Sequence, residues 1–119
     1  MNKDQSVRIF REMWSDIYES IIKEKRVVDI PEFKEQWCGE RGYDFWSNCP
    51  LCQYSFGYNG CDKCPINWNS NVDSYYCVDS EYYGDGQGLY DLAISADNWQ
   101  KQAEIVNTIR KLRVREINA

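Results

Sequence analysis

Cys49-Pro-Leu-Cys52 and Cys61-Asp-Lys-Cys64-Pro65 form two C-x2-C pairs separated by eight residues near the middle of the chain. In each pair a tight turn can point two thiolates at one centre, and two such pairs complete a tetrahedral site of four sulfurs. Gly57, Asn59 and Gly60 supply turn-forming residues between the pairs. The sequence therefore predicts a metal site with the ligands Cys49, Cys52, Cys61 and Cys64.

Zinc is the expected metal, and its role is expected to be structural, because a closed site of four thiolates leaves no open position for water or substrate. Iron or an iron–sulfur cluster is the alternative, since all-thiolate sites also suit iron and Cys64-Pro65 resembles the end of a ferredoxin motif. Cys77, separated from Cys64 by twelve residues, is a possible substitute ligand. Cys38, separated from Cys49 by ten residues, could also replace one of the four, but it is interpreted as a small buried apolar residue, a common fate of cysteine.

The composition bears on the compartment and on the chemistry. The 119 residues carry a net charge of −5 and include no His, which removes the usual general base and every imidazole ligand. No apolar run approaches the roughly 20 residues that span a bilayer, and residues 1–11 do not resemble a secretory signal. We therefore expect a cytoplasmic protein, in which the pattern of six cysteines indicates a metal site rather than three disulfides.

An amphipathic helix is predicted over residues 3–26, with Asn2 or Asp4 as its cap. Apolar residues recur there at steps of three and four, and charged residues fill the opposite face. The apolar residues are Val7, Phe10, Met13, Trp14, Ile17, Tyr18, Ile21 and Ile22.

A short second helix is predicted over residues 31–37, because Pro31 suits the first position of a helix. Phe33 and Trp37 are expected to face inward. Residues 38–90 hold all six cysteines and show no long helical period. This range is predicted to be an irregular metal-binding region with few or no short strands.

Helical patterning resumes toward the C-terminus, with a short turn of helix over 88–96 and a longer helix over 97–114. Asp97 with Gln100 resembles a capping box at its start. One face of this helix carries Trp99, Ala103, Val106, Ile109 and Leu112. The predicted fold class is a small α-rich, metal-stabilised single domain over 1–119, with the terminal helices packed beside a zinc-knuckle region.

The cysteine spacing resembles that of small cysteine-rich proteins encoded by bacteriophages and prophages. The resemblance covers roughly residues 49–116. The shared features are Cys49-Pro-Leu-Cys52-Gln-Tyr, Cys61-x-x-Cys64-Pro-Ile-x-Trp68, Cys77, Gly88-Leu-Tyr90 and Leu112-x-Val-Arg-Glu116. It implies a phage accessory protein in a bacterial cytoplasm and implies no reaction. Cys49, Cys52, Cys61, Cys64 and Cys77 are the recurring cysteines of that pattern, and Cys38 lies outside it.

Residues 65–99 contain six acids and no Lys or Arg, so this stretch carries −6 against −5 for the whole chain. It is also rich in Tyr and Trp, which are favoured interface anchors, while acids steer association with a basic partner. The sequence therefore predicts a protein-binding face that engages and inhibits a host defence or nucleic-acid-handling protein. The expected contact residues are Tyr75, Tyr76, Asp79, Glu81, Tyr82, Tyr83 and Asp85. The other interpretation is that these rings fill the core around the metal.

Two rival functions follow from other features. A zinc-ribbon-like nucleic-acid-binding or transcription accessory role would use the basic residues 110–115, but the overall negative charge opposes it because backbone affinity comes mainly from Lys and Arg. An enzyme is not expected, since no catalytic motif is present and carboxylates such as Asp79, Glu81, Asp85 and Asp91 read as solvated surface acids.

Overall fold

The first helix, α1 (Lys3–Glu24), is delimited by caps at both ends. Asn2 Oδ1 accepts a hydrogen bond from the Gln5 N–H at 2.8 Å, and Gln5 Oε1 accepts one from the Asn2 N–H at 3.0 Å. This capping box confirms Asn2 rather than Asp4 as the cap. Lys25 adopts a left-handed conformation with φ of 53°, so α1 ends two residues earlier than the predicted 26.

The structure is a computed structural model that describes residues 2–45, 49–51, 66 and 89–114. Within these ranges the named helices are α1, α2 (Ile30–Glu40), α3 (Leu89–Ile94) and α4 (Trp99–Arg110). The α-rich prediction is confirmed for this part of the chain, whereas the zinc-knuckle region lies almost entirely outside it. Over the same ranges the only β-pairing is an isolated antiparallel bridge between Ile66 and Val114.

The apolar face of α1 forms the centre of the core, as its periodicity predicts. Residues that are buried on this face include Val7, Phe10, Met13, Trp14, Ile17 and Ile21. Two predicted members differ, because Tyr18 is only partly buried and Ile22 is 38% exposed. Both line a groove between α1 and α4.

The second helix is longer than the predicted 31–37. Asp29 caps it by accepting a hydrogen bond from the Glu32 N–H at 3.1 Å, and the helix runs on to Glu40. Cys38 therefore lies inside α2 and not in the irregular region predicted to begin there. The extension is stabilised by burial, since Trp37 and Cys38 are both almost fully buried in the core.

The C-terminal helix is shorter than the predicted 97–114. Asn98, not Asp97, is its cap, because Asn98 is in an extended conformation and its Oδ1 accepts from the Lys101 N–H at 2.8 Å. Beyond α4, Leu112 remains buried, and its carbonyl accepts a hydrogen bond from Arg11 Nη2 at 3.3 Å. α4 packs across α1 and against α3, while α2 contacts α1 and α3. None of the described helices has the length and apolar character needed to cross a bilayer.

One buried polar residue, Gln102, joins three segments of the fold. Its side chain is fully buried, and its Oε1 accepts from the Val28 N–H at 2.8 Å. Its Nε2 donates to the Val28 carbonyl at 2.9 Å and to the Ala93 carbonyl at 3.1 Å. Gln102 therefore fixes the connection between α1 and α2, and the end of α3, onto α4.

Replacing Gln102 with Leu is expected to lower the free energy of unfolding by about 2–3 kcal/mol, since part-buried backbone groups of Val28 and the buried carbonyl of Ala93 would lose their partners. Urea denaturation followed by circular dichroism measures the change. Gln100→Leu is the matched control because Gln100 is exposed on the same helix, and its effect should stay within about 0.5 kcal/mol. Equal effects of the two substitutions would contradict the role of Gln102.

Candidate functional site

Of the predicted metal ligands, the structure describes Cys49 alone; Cys52, Cys61, Cys64 and Cys77 lie outside the described residues. Cys49 is 8% exposed and Leu51 is 1% exposed, so the first C-x2-C pair begins inside the helical core. Among the residues that the structure covers, no group of three or more potential ligands comes together. A metal site is therefore neither shown nor contradicted.

The chain also contacts this core just after the second C-x2-C pair. Ile66 lies two residues after Cys64, is fully buried, and forms the bridge to Val114. The stretch that contains both pairs therefore enters and leaves the same hydrophobic core. Its two ends are fixed by burial at Cys49 and Leu51 on one side and at Ile66 on the other.

The chain reverses direction immediately after α2. The carbonyl of Cys38 accepts hydrogen bonds from the N–H groups of Arg41 at 3.2 Å and Tyr43 at 2.9 Å. Gly42 has φ of +72°, a conformation that glycine adopts without steric cost. The ring of Tyr43 lies 6.0 Å from that of Trp37 and stacks on Phe45 at 4.7 Å. The segment therefore folds back along α2.

Cys38 and Cys49 are electrostatic neighbours in the core. Burial raises the pKa of the Cys38 thiol above its ordinary value, the Lys34 ammonium lowers it, the Cys49 thiolate raises it and the Arg41 guanidinium lowers it. Cys38 is 1% exposed, which agrees with its interpretation as a small core residue. Its charged surroundings, however, differ from those of an ordinary apolar position.

Lys34 is a buried cation that sequence reasoning missed. It is 5% exposed, its Nζ donates to Tyr90 Oη at 3.0 Å, and Nζ lies 4.5 Å from the centroid of that ring. Its position was detectable, because Lys34 follows Ile30 and precedes Cys38 at four-residue steps on one helix face. We refer to Lys34, Cys38, Cys49 and Tyr90 as the Lys34 cluster.

The residues predicted to contact a partner all lie outside the described part of the chain. These are Tyr75, Tyr76, Asp79, Glu81, Tyr82, Tyr83 and Asp85. In the described end of the acidic stretch, residues 89–99, some apolar side chains lie in the core and others are exposed. Tyr90 packs edge-on against Trp14 at 5.9 Å, whereas Ile94 is 39% exposed and Asp97 is exposed. Core filling thus accounts for Tyr90 but not for Ile94.

A shallow groove of about 260 Å³ lies between α1 and α4 and adjoins this acidic end. The groove, called the α1–α4 groove below, is lined by Tyr18, Ile22, Trp99, Gln100, Ala103, Glu104 and Asn107. The Arg110 guanidinium stacks over Tyr18 at 4.1 Å from the ring centroid and is thereby engaged within the fold. The groove therefore presents apolar and acidic groups together.

A larger groove of about 700 Å³ lies beside α1 and the end of α2. It is lined by Asp4, Val7, Arg8, Arg11, Glu12, Ser15, Asp16, Trp37, Arg41 and Val114, and we call it the arginine groove. Arg41 stacks on Trp37 at 3.9 Å and pairs with Asp16 at 3.4 Å. Three arginines face three acids in this lining, so the formal charges of the groove cancel.

Comparisons with protein-family models, with curated proteins and with solved structures find no match to this chain. Its function must therefore be argued from its own residues. The resemblance to cysteine-rich phage proteins stays a prediction from spacing.

Proposed function

We propose that this chain is a metal-stabilised protein-binding module, encoded by a phage and acting in the bacterial cytoplasm, that engages and inhibits a host protein through an acidic, tyrosine-rich face. The observation that supports it most is the separation of charge along the sequence. Residues 65–99 carry −6 and no cation, while the remaining residues are close to neutral. Such a field favours encounter with a basic protein surface.

The metal in this proposal is zinc, held by Cys49, Cys52, Cys61 and Cys64, with Cys77 as a possible substitute and iron as the other candidate. The donor set suits such an ion because it consists of thiolates in two C-x2-C pairs. Burial of Cys49, Leu51 and Ile66 agrees with it, since both ends of the cysteine stretch are anchored in one core. When bound, the ion stabilises the fold and takes no part in a reaction.

The described end of the acidic stretch has the composition of a docking surface. Ile94 and Ile22 are more than a third exposed, and Trp99 is half-buried and lines the α1–α4 groove with Ile22. No Lys or Arg interrupts residues 89–99. Apolar anchors with an acidic rim match the usual anatomy of a protein interface. Acids around the anchors would disfavour nucleic acid and favour a partner with basic residues.

The proposed partner is a host protein whose basic surface binds nucleic acid, such as a defence or nucleic-acid-handling protein. Occupation of that basic surface would exclude nucleic acid, because both ligands require the same cations. No catalytic step is needed for this inhibition. Its strength is expected to fall as salt rises, since exposed charges are screened over a Debye length of about 8–10 Å.

A charge reversal tests the electrostatic part of the proposal. The variant Asp79→Lys, Glu81→Lys and Asp85→Lys is expected to bind the host partner at least about ten-fold more weakly, a cost of about 1.4 kcal/mol. The partner is first identified by affinity purification from infected cells, and its affinity is then measured with purified proteins by calorimetry.

The matched control carries the same change in charge elsewhere, as Glu12→Lys, Glu19→Lys and Glu35→Lys. These three acids are exposed on α1 and α2. The control is expected to retain affinity for the partner within about three-fold, because exposed charges far from an interface contribute little to binding. Equal weakening by both variants would show that net charge matters and the acidic face does not.

Nucleic-acid binding is the second candidate, and the arginine groove is the observation in its favour. Arg8, Arg11 and Arg41 line this groove and could contact phosphates, whereas Trp37 beneath Arg41 is only 4% exposed and offers no free face for a base. The cancelling acids Asp4, Glu12 and Asp16 make the groove a weak site for a phosphate backbone. Anisotropy titration of single-stranded DNA and RNA at low salt distinguishes the two functions, since tight salt-sensitive binding would place this candidate first.

A further inference from the structure

We propose that the chain forms a two-fold symmetric dimer in which a second copy covers an apolar patch beside the start of α4. The patch consists of Ile22, Val27, Ile94 and Trp99, and we call it the dimer patch. The inference goes beyond the proposed function, because it names the partner that covers the described end of the acidic stretch. It requires neither the metal nor the host protein.

Exposed apolar side chains concentrate at this place. Among the residues that the structure describes, the large apolar side chains that are 36–40% exposed are Ile22, Val27, Ile94 and Val114. Three of these belong to the dimer patch, to which Trp99 adds a half-buried ring. Val114 instead lines the arginine groove. A cluster of exposed apolar residues marks an interaction site, whereas single scattered ones do not.

The hydrogen bonds of Gln102 bring two parts of the patch together. Its Nε2 donates to the Val28 carbonyl at 2.9 Å and to the Ala93 carbonyl at 3.1 Å, so two distant backbone segments meet at one atom. Val27 and Ile94 are the neighbours of these two residues in sequence, and both are exposed. The two exposed side chains therefore belong to one region of the surface.

Trp99 connects this region to Ile22. Trp99 is the first residue of α4 and lies one helical turn before Gln102. It also lines the α1–α4 groove, of about 260 Å³, together with Ile22. The dimer patch thus extends from the end of α1, across this groove, to the connection between α3 and α4.

The α1 side of the patch is basic. Lys23, Lys25 and Arg26 directly follow Ile22, and all three are exposed. The acid among them, Glu24, pairs with Arg26 at 3.2 Å. Lys23 and Lys25 have no ion pair within the described ranges and are available to a partner.

The α4 side of the patch is acidic. Asp97, two residues before Trp99, is exposed, and Glu104 lines the α1–α4 groove. Residues 89–109 contain three acids and one cation, Lys101. The two sides of the patch therefore have opposite net charge.

This opposition of charge selects a second copy as the occupant. In a two-fold symmetric contact, each side of the patch faces the other side of the same patch on the second copy. The lysines of one copy then meet the acids of the other, and the arrangement occurs twice. A uniformly basic partner would be repelled by the α1 side, and a uniformly acidic one by the α4 side.

Sedimentation equilibrium of the full-length protein tests the dimer. A patch of this size supports a weak interface, so we expect a dissociation constant on the order of 10 µM. Val27→Asp and Ile94→Asp should each weaken dimerisation at least about ten-fold, because each buries an unpaired charge in the contact. Val114→Asp is the matched control, since Val114 is exposed to a similar extent but lies outside the patch, and it should dimerise like the wild type.

Wild-type protein that stays monomeric at about 500 µM would overturn the inference, because contacts of the expected strength would be populated there. Equal weakening by Val114→Asp would also overturn it. A monomeric wild type whose affinity for the host protein falls with Ile94→Asp would assign the patch to the host protein instead. Circular dichroism checks that each variant is folded.

Two complementary charge variants test the symmetry of the contact. Lys23→Glu with Lys25→Glu makes both sides of the patch acidic, and Asp97→Lys with Glu104→Lys makes both sides basic. Each variant alone should dimerise at least about ten-fold more weakly than the wild type, because like charges meet twice. An equimolar mixture restores opposite charges at both contacts and should associate within about three-fold of the wild type. A mixture that associates no better than either variant alone would overturn the second copy as the occupant.

Discussion

Trp14→Ala is expected to lower the free energy of unfolding by about 3–5 kcal/mol, the range for loss of a large aromatic side chain from a core. Trp14 is 1% exposed and lies between Phe10, at 6.1 Å between ring centroids, and Tyr90, at 5.9 Å. It thus joins α1 to α3. The change is measured by urea denaturation, and a loss below 1.5 kcal/mol, well short of the range for such a cavity, would contradict this central position.

Trp14→Phe is the informative companion variant. The indole Nε1 is buried and has no hydrogen-bond partner among the described residues. Removal of this N–H relieves an unsatisfied group, worth about 1–3 kcal/mol, and offsets much of the lost apolar area. We therefore expect Trp14→Phe to change the free energy of unfolding by less than about 1.5 kcal/mol. A loss as large as that of Trp14→Ala would indicate that Nε1 has a partner.

Withdrawal of the proposed metal is expected to give the second large effect. At a free zinc concentration 1,000 times the dissociation constant, binding is expected to add about 4 kcal/mol to the free energy of unfolding. Purified protein should therefore contain one zinc per chain by elemental analysis. A chelator should lower its melting temperature by on the order of 10 °C, given the usual scaling for a domain of this size.

A matched pair of variants separates the metal from general core damage. Cys49→Ser should lose most of the response to chelator, because the ligand is absent before the chelator is added. Ile109→Val, another buried position, should lower stability by about 1 kcal/mol and keep the full response. Protein that lacks metal as purified yet shows an unchanged melting temperature with chelator would remove the proposed site.

The helices could be predicted from the sequence because their patterns are local. The periodicity of α1 fixes its apolar face, and the predicted start at residue 3 is confirmed. The C-terminal end of α1 could not be predicted, because the sequence does not show that Lys25 adopts a left-handed conformation. The choice between Asp97 and Asn98 as a cap is similar, because both residue types cap helices and geometry decides between them.

Features that depend on distant partners could not be predicted. Gln102 reads as a polar surface residue, yet its buried side chain serves Val28, 74 positions away. The four-residue steps from Ile30 to Cys38 indicate the buried face for Lys34, but they do not reveal its partner Tyr90, which lies 56 positions away. The extension of α2 to Glu40 also depends on tertiary burial.

The candidate metal site stays a prediction, because the structure describes only one of its expected ligands, Cys49. The C-x2-C pairs indicate four sulfur donors from spacing alone. The burial of Cys38 and Cys49 in one core cluster is a tertiary feature that spacing does not reveal. Of the acidic face, only the end at 89–99 is described, so its predicted contact residues stay predictions.

The long sequence separation between Gln102 and Val28, which are joined by hydrogen bonds, has a consequence for protein synthesis. α1 leaves the ribosome before α4, the helix that packs on its apolar face, and Val28 and Gln102 are 74 positions apart. At about 5–20 residues per second, the nascent chain waits roughly 4–15 s with that face uncovered. A chaperone that binds apolar nascent segments would therefore contact α1 before α4 does. Packing of α4 on α1 is completed late in elongation or after synthesis.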